Sequence, residues 1–284
     1  MKTFLECIPC FMNQALKAGR IASNDENTIK QILNEVGKMV EDIPMENTPP
    51  ETGMLIYQKI SEISGNPDPY KKIKKKNMDE AISLLPMLEE IIDKSDDRLL
   101  TAIRFAIAGN VIDLGVNREF DIKTALNEVL TQDFAIFDYD DFKQKLAETD
   151  EILYLGDNSG EAVFDKILIS EIGKPVTFVV KEKPIINDIT INEAKYLGID
   201  KIAKIISSGM EAPGTIINMC NDEFVKKFYS SKIIISKGQG NYEGLSGINA
   251  PIFFMLRAKC PVIAKDINVP IDSIILENNY KKEN

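Results

Sequence analysis

The sequence predicts an α/β protein in which an all-helical N-terminal domain precedes a mainly parallel sheet. Apolar residues recur at helical spacing through the first half of the 284-residue chain. From about residue 150, short β-rich runs alternate with helical patterns, which is typical of βαβ units. Such units build a parallel sheet that helices cover on both faces. We therefore predict a helical domain at residues 1–147 and a three-layer α/β/α, Rossmann-like domain at residues 148–284.

Seven helices are predicted in the first domain. The first carries an apolar stripe over residues 5–16. Asn24 and Asp25 can cap the second helix, and Pro49 and Pro50 can begin the third, because proline is tolerated in a first helical turn. The predicted spans are about 4–21, 25–40, 49–65, 78–93, 97–114, 122–131 and 139–147.

Five strands are predicted in the second domain, from short runs of β-branched and aliphatic residues. They span about 152–155, 176–180, 203–206, 233–235 and 262–264. In open α/β folds, ligands bind beyond the carboxyl ends of the strands. The segments that follow these strands are therefore where we look for a functional site.

Charge and hydropathy argue against two kinds of partner. The net charge is −10, which disfavours a nucleic-acid backbone. Charged residues interrupt every apolar stretch before it could span a bilayer, and the first residues lack a signal-peptide core. Four cysteines are too few for a disulfide scaffold. We therefore predict a cytoplasmic protein with no membrane partner.

The absence of histidine narrows the chemistry. With no histidine in the chain, Ser-His-Asp catalysis, Cys-His catalysis and His-ligated zinc are excluded. Catalysis must then rest on carboxylates, amides, lysine, arginine, tyrosine, thiols or a metal ion.

The turn at residues 156–160 is the first candidate site. It follows a buried strand and precedes a helix, so its Asp157 and Asn158 lie at the predicted sheet edge. Their oxygens suit a hard cation, while the N–H groups that open the helix favour an anion. The combination suggests a metal-bound phosphate. Asp and Asn also favour turns and helix caps without binding anything.

Asp188 can complete this site, because the next strand delivers it to the same edge of the sheet. Three hard oxygen ligands, with water and phosphate in the open positions, commonly hold Mg²⁺ or Mn²⁺. The other interpretation makes Asp188 a cap for the helix that follows. The two roles use different lone pairs and are compatible.

The segment at residues 237–243 follows a third strand. Its Gly238 and Gly240 let successive N–H groups converge on an anion, and Lys237 adds a positive charge. The spacing is not that of a P-loop, and Gly-X-Gly is more often an ordinary turn. In the first domain, Arg104 and Asn110 are candidates whose default interpretation is a solvated arginine and a capping asparagine.

Cys7 and Cys10 have the spacing of metal ligands or of a redox pair. A Cys₄ zinc site would require Cys220 and Cys260 to converge on them from distant places. On a helix, Cys7 and Cys10 share one face and can equally be small core residues.

Six segments, in order along nearly the whole chain, resemble the DUF89 family of metal-dependent damage-control phosphatases. The N-terminal Cys-X-X-Cys is similar to the small archaeal and bacterial branch of that family. The segments are CIPC at 7–10, GNPDPYKKIK at 65–74, RFAIAGNVID at 104–113, GDNSGEAVFD at 156–165, PIINDIT at 184–190 and KGQGNYE at 237–243.

The resemblance implies a Rossmann-like sheet with an attached helical domain and hydrolysis of small phosphorylated metabolites. It implies a divalent metal, Mg²⁺ or Mn²⁺ with Co²⁺ or Ni²⁺ as further candidates, held by Asp157, Asn158 and Asp188. The resemblance also implies a role in contacting phosphate or substrate for Lys237, Gly238, Gly240, Asn241, Glu161, Arg104 and Asn110.

We expect a water molecule to attack the phosphoryl group, since Ser159 stands where an Asp-X-Asp phosphatase has its second aspartate. Glu161 and Glu243 are the candidate proton donors. Two alternatives remain: a non-catalytic protein that binds phosphorylated metabolites, and a carboxyl methyltransferase that uses S-adenosylmethionine. The second is disfavoured because the turn at residues 156–160 is a poor match to a methyl-donor-binding turn.

Overall fold

A seven-stranded sheet organises the protein, whose computed structural model describes residues 1–109 and 126–280. The strand order is β1-β7-β6-β5-β2-β3-β4. The five strands from β6 to β4 in this order are parallel, whereas β7 is antiparallel to β6, and β1 is parallel to β7. The strands are β1 (Phe134–Phe137), β2 (Ile152–Leu155), β3 (Val176–Val180), β4 (Lys204–Ser207), β5 (Ile234–Lys237), β6 (Ile252–Arg257) and β7 (Ile274–Asn278).

Helices precede and connect these strands. The third helix shows why they start where they do: Thr48 and Glu51 form a reciprocal capping box, and Gly65 ends the helix in the left-handed conformation. Within the described residues, no helix is long and apolar enough to cross a membrane. The helices are α1 (Cys7–Ala22), α2 (Glu26–Glu41), α3 (Pro49–Ser64), α4 (Lys71–Asp93), α5 (Arg98–Ala108), α6 (Tyr139–Ala147), α7 (Ala162–Ile172), α8 (Ile191–Tyr196), α9 (Asp222–Ser230), α10 (Gln239–Leu245) and α11 (Pro261–Ile267).

Both faces of the sheet are covered, and β2 shows it most directly. All four of its residues are buried. Ile152 and Tyr154 belong to the core cluster that contains α4, α5 and α7, whereas Leu153 and Leu155 belong to the cluster that contains α9, α10 and α11. A strand that is apolar at successive positions is what a doubly covered sheet requires. The predicted fold class, an α/β protein with a mainly parallel sheet, is confirmed.

The strand predicted at 262–264 is wrong, because these residues lie in α11. Pro261 occupies the first turn of this helix, and Asn268 ends it in the left-handed conformation. The strand of this region is instead β6, which sequence analysis missed together with β1 and β7. The predicted helices at 97–114 and 122–131 extend into residues 110–125, which lie outside the described residues.

The first three helices pack into a core cluster of their own, which also includes Val262 of α11. In contrast, α5 packs directly on α7, and β1 joins the sheet although it precedes residue 147. The division into domains at residues 147 and 148 stays a prediction. What matters for the site is that α1 and α3 reach the edge of the sheet.

Candidate functional site

The strand order creates a crevice in the middle of the sheet. From β2 the chain proceeds outward through β3 to β4 on one side, and then returns to the other side of β2 with β5 and β6. The helices that follow β2 and β5 therefore lie on opposite faces, and the loops after these neighbouring strands diverge. Open α/β sheets bind ligands at such a switch point. The loops after β2, β3, β5 and β6 all emerge at this edge.

The loops after β2 and β3 are tied to each other by the backbone. Ser159 N donates to Asn187 O at 2.8 Å, and Ile189 N donates to Asp157 O at 2.8 Å. Asn158 and Asp188 form an isolated antiparallel bridge. These bonds fix the two loops side by side. The structure thus brings together the three residues predicted as metal ligands.

Three carboxyl groups are buried in this corner, belonging to Asp157, Asp188 and Glu161. Burial raises the pKa of Asp157 and raises that of Asp188 well above its usual range, although nearby lysines oppose both shifts. Burial and the charge of Asp157 raise the pKa of Glu161 to about 8. Crowded carboxylates of this kind are stabilised in the charged form by a bound cation.

The donor set fits a hard divalent cation. Oδ2 of Asp188 and Oε2 of Glu161 are buried and have no hydrogen-bond partner. Asn158 donates through Nδ2 to Asp157 Oδ2, at 3.2 Å, and to Glu161 Oε1, so its Oδ1 is the atom that could bind a metal. In residues 1–109 and 126–280, no group of three or more His, Cys, Asp or Glu side chains is arranged to hold a metal ion. The candidate set is therefore two aspartates and an amide, with the remaining positions left to water and phosphate.

Lys237 lies behind this corner rather than in front of it. Its side chain is 1% exposed, and its ammonium donates to Ala106 O and, at 2.9 Å, to Asp165 Oδ1. Tyr154 donates to the same Asp165 oxygen at 2.7 Å, and Glu161 Oε2 lies 3.7 Å from the Lys237 ammonium. Burial would lower the pKa of Lys237, but the charges of Asp165 and Glu161 raise it above its ordinary value. The structure makes Lys237 a buried partner of two carboxylates.

The glycines of the turn after β5 permit close approach between loops. Gly238 has φ +79°, and a Cβ atom there would lie 1.9 Å from Asp157 Oδ2. A Cβ atom at Gly240 would lie 2.1 Å from Pro213 O. Any larger residue at either position would displace a neighbour. Gly238 is thus required for Asp157 to occupy its place, and Gly240 lines the cavity described next.

Asn241 is also a structural partner. It is fully buried, and its Nδ2 donates to Gly156 O at 3.2 Å and to Lys237 O at 2.8 Å. Its Oδ1 accepts from Thr215 Oγ1 at 2.8 Å. The Asn241 side chain therefore holds the turns after β2 and β5 together.

A cavity of about 520 Å³ opens in front of the carboxylates. Asp157, Asn158 and Asp188 form one wall. A second part of the lining comes from α1 and α3, and a third comes from the loop between β6 and α11. We call this space the first cavity. Its size suits a small metabolite.

Lys259 and Glu243 line the first cavity, and sequence analysis assigned no role to Lys259. Lys259 is exposed at the cavity wall, where the surrounding protein lowers its pKa and the charges of Glu161 and Asp157 oppose this shift. Burial raises the pKa of Glu243 to about 7. Lys259 directly follows the carboxyl end of β6, which is the signal that could have identified it. The erroneous strand at 262–264 obscured this signal.

Arg104 is not brought to the first cavity. Its guanidinium donates to Val129 O at 2.9 Å and to Gln132 O at 2.6 Å, and it lies over the ring of Phe134. These contacts tie α5 to the segment before β1. Asn110, the other residue predicted from this part of the chain, lies outside the described residues.

The cysteines do not form a four-thiol site, and all four are free. Cys7, Cys10 and Cys260 line the first cavity. Cys220 packs elsewhere, with its Sγ 3.3 Å from Ile216 O, and burial raises its pKa to about 12.

Known proteins resemble this chain over its full length. The family model of the damage-control phosphatase ARMT1-like domain matches residues 3–275. An uncharacterised protein of Methanocaldococcus jannaschii is 36% identical, over 96% of this chain and 94% of its own length. A damage-control phosphatase of Pyrococcus horikoshii is 34% identical, over 99% of this chain and 100% of its own length.

A third relative and a solved structure agree with this match. A damage-control phosphatase of Archaeoglobus fulgidus is 32% identical, over 97% of this chain and 98% of its own length. The crystal structure of a DUF89 family protein from Pyrococcus horikoshii has a TM-score of 0.92 and 32% sequence identity. That similarity covers 98% of this chain and 99% of the other chain.

Proposed function

Because the chain belongs to the damage-control phosphatase ARMT1-like family, we propose that it is a metal-dependent phosphatase that hydrolyses monoesters of small phosphorylated metabolites. The family match confirms the resemblance that the six sequence segments indicate. Relatives named damage-control phosphatases, 32–34% identical over nearly the full chain, support the phosphatase activity. The reaction therefore belongs to the house-cleaning type.

One observation carries the metal-dependent part of this proposal. Buried Asp157 and Asp188 form one wall of the first cavity, where Asp188 Oδ2 accepts no hydrogen bond, and Lys259 lies on another. The aspartates suit a divalent cation, and the ammonium suits the phosphoryl oxygens. A phosphate ester needs both kinds of partner at once. The same cavity supplies both, and the charges of Lys259 and Asp157 interact.

The chain's own residues divide the work as follows. Asp157, Asp188 and the Asn158 amide oxygen would hold the cation, which would supply Lewis-acid polarisation of the phosphoryl group and activation of water. Lys259 binds the phosphoryl oxygens and neutralises the charge that develops on them. Water is the nucleophile in this scheme.

Glu243 is the proton donor that the geometry favours. Of the two candidates from the sequence, Glu243 lines the first cavity, whereas Glu161 is bonded to Asn158 and faces Lys237. A carboxyl group with a pKa of about 7 keeps a substantial protonated fraction at neutral pH. Glu243 can therefore transfer its proton to the leaving alkoxide. Glu161 instead positions Asn158.

The proposed test is phosphate release from p-nitrophenyl phosphate by metal-stripped protein, with Mg²⁺, Mn²⁺, Co²⁺ or Ni²⁺ added back separately. We expect turnover only with added metal, and we expect Asp188→Asn to lower it by about 10³-fold, since a metal ion contributes several kcal/mol of charge stabilisation. Asp96→Asn is the matched control, because Asp96 is exposed and far from the cavity in sequence.

Two results would contradict the proposal. Turnover that persists after metal removal would exclude the metal-dependent mechanism. Saturable binding of the ester without turnover, with any of the four metals, would instead identify a non-catalytic protein that binds phosphorylated metabolites.

We also propose a cytoplasmic location, which the four free cysteines support because disulfides are rare in that compartment.

A further inference from the structure

A second cavity, of about 620 Å³, adjoins the first one. It lies between α3, the turn before α4 and the loop after β3. Tyr57 and Ile186 line both cavities, so they form the boundary between them. The side chains of Tyr57 and Ile186 are therefore a wall that the two cavities share. None of the residues assigned to catalysis above lines the second cavity.

Ile186 is held in an unfavourable backbone conformation at this boundary. Its φ is +46°, a value that a β-branched residue rarely adopts. Such strain persists only when the surroundings impose it, and it concentrates at functional sites. Ile186 precedes Asp188 by two residues, which limits their separation to roughly 7 Å. The strained residue thus lies on the wall that the two cavities share, close to Asp188.

The lining of the second cavity is ring-rich. Tyr57 and Tyr70 present aromatic side chains, and Pro67, Pro69 and Pro184 add flat apolar surface. Burial raises the pKa of both tyrosines, so their hydroxyls stay protonated and act as neutral hydrogen-bonding groups. Surfaces of this kind bind rings by face and edge contacts.

The charges of the second cavity are already matched within the protein. Lys183 lies 2.6 Å from Glu211, and Asp68 lies 3.0 Å from Lys74. Glu62, the other carboxylate of the lining, pairs with Lys59 outside it. A ligand with a second negative charge would meet three carboxylates and one lysine that is already paired. The lining favours an uncharged group.

We propose that the second cavity binds the organic part of the substrate, and that this part is an uncharged ring, aromatic or heteroaromatic, joined to the phosphate held in the first cavity. This inference rests on the proposed phosphatase function. Tyr57 and Ile186 then lie between the phosphate group and the ring of the bound substrate. Tyr70 and Ser61, which line only the second cavity, are specificity-determining residues.

The test compares 2-naphthyl phosphate with glycerol phosphate in two variants. Tyr70→Ala removes a ring from the cavity, and Ser61→Trp fills the cavity from the half-buried face of α3. We expect each variant to raise KM for 2-naphthyl phosphate by at least about 10-fold more than KM for glycerol phosphate, because lost apolar contacts are worth about 1–3 kcal/mol. Tyr229→Ala, at a tyrosine that is 60% exposed, is the matched control and should change neither KM.

A second comparison tests the charge of the ring. We expect the wild-type protein to have a kcat/KM for phenyl phosphate at least about 10-fold above that for 4-carboxyphenyl phosphate. Equal changes for both esters in Tyr70→Ala and Ser61→Trp would overturn the second cavity as the ring site. A higher kcat/KM for 4-carboxyphenyl phosphate would overturn the inference that the ring is uncharged.

These outcomes remain distinguishable from failure of the phosphatase proposal. If no ester is hydrolysed with any metal, the phosphatase function fails first. Calorimetry then tests the second cavity as the ring site, by comparing the affinity of the wild-type protein and of Ser61→Trp for 2-naphthyl phosphate. Weaker binding to the variant would support the ring site, and equal affinities would overturn it.

Discussion

The wall of the first cavity and the layer directly behind it contain the same residue types in different surroundings. Behind the wall, Lys237, Asp165 and Tyr154 are linked by short hydrogen bonds and buried in the core. On the wall, Asp188 and Lys259 line the open cavity, which Asp165 and Lys237 do not. Lysine and aspartate stabilise the fold in the first region. In the second they are arranged for a ligand.

A position at the carboxyl edge of a sheet does not by itself decide whether a residue binds a ligand or stabilises the fold. Lys237 ends β5, and Lys259 follows β6, so the two lysines leave neighbouring parallel strands at the same edge. What separates them is the partner that each side chain meets. Lys237 is a fully buried partner of Asp165 and Glu161, whereas Lys259 is exposed at the cavity and interacts with Asp157 and Glu161 through charge. A buried ion pair is costlier to break than an interaction that solvent screens.

The largest expected effects come from changing these two lysines. Lys259→Met should lower kcat/KM by about 10²–10³-fold, since it removes a group that we propose to stabilise the transition state. It should lower the free energy of unfolding less than Lys237→Met does, because Lys259 is exposed. Lys237→Met should lower the free energy of unfolding by about 3–5 kcal/mol, because it leaves the buried Asp165 charge without its partner. Steady-state kinetics and urea unfolding measure the two effects.

The reverse pattern would contradict this division. A Lys237→Met protein that unfolds like the wild type but no longer turns over substrate would return Lys237 to the phosphate-binding role predicted from the sequence. Lys237→Arg, which keeps the charge, is the conservative control for stability.

Two glycines offer a narrower comparison between the site and the rest of the chain. Gly238 and Gly173 both have positive φ, but only at Gly238 would a Cβ atom meet another group, Asp157 Oδ2 at 1.9 Å. Gly173→Ala should cost about 1–2 kcal/mol of stability from the left-handed backbone alone. Gly238→Ala should cost more, and should also lower kcat by up to about 10²-fold by displacing Asp157.

Thermal unfolding and kcat of the two alanine variants test this pair. Equal losses of stability with full activity in both variants would show that Asp157 tolerates displacement.

The pH dependence of stability should distinguish the metal-free from the metal-bound corner. The pKa of Glu161 is raised from 4.5 to about 8, so the folded protein retains a proton that the unfolded chain releases. The contribution of Glu161 to stability is therefore fully present below about pH 4.5 and is lost as pH rises toward 8. We expect the Tm of metal-free protein to decrease over this interval.

Added Mg²⁺ or Mn²⁺ should stabilise the protein more at pH 8 than at pH 6, because the carboxylates must be deprotonated to hold it. Glu161→Gln should flatten the pH profile of the metal-free protein. An unchanged profile in that variant would assign the pH dependence to other groups.

The smallest effect on activity is expected at Arg104. Arg104→Ala should change kcat/KM by less than about twofold, while the loss of its bonds to Val129 O and Gln132 O lowers the free energy of unfolding by about 1.5–3 kcal/mol. Arg98→Ala is the control, because its ion pairs with Asp93 and Glu171 are exposed and contribute less. A large loss of activity in Arg104→Ala would place this side chain near the substrate.

Much of the fold was predictable because the central strands are apolar at every position. Residues 152–155 and 176–180 were assigned to their observed spans, since a doubly covered strand leaves a continuous apolar run. Residues 262–264 form a similar short run, and periodicity cannot separate a buried strand from a buried helix at that length. Pro261 in the first helical turn and Asn268 at the end of the helix are the signals that indicate a helix here.

The site was predictable where it depended on topology and not where it depended on packing. Asp157 and Asp188 follow adjacent parallel strands, so their proximity follows from the sheet alone. The orientation of Lys237 depends on Asp165, one helix away, and no local pattern reports that contact. The wall supplied by α1 and α3 is likewise a result of tertiary packing.

The walls of the first cavity are far apart along the chain: α1 and α3 lie near its beginning, the aspartates near its middle and Lys259 close to its end. During synthesis the N-terminal helices leave the ribosome first and must wait for about 200 further residues before Lys259 appears. The central strand β2 likewise waits for β5, which pairs with it only after β3 and β4 have been made. A nascent chain that still lacks Lys259 therefore lacks one part of the cavity lining on which the proposed activity depends.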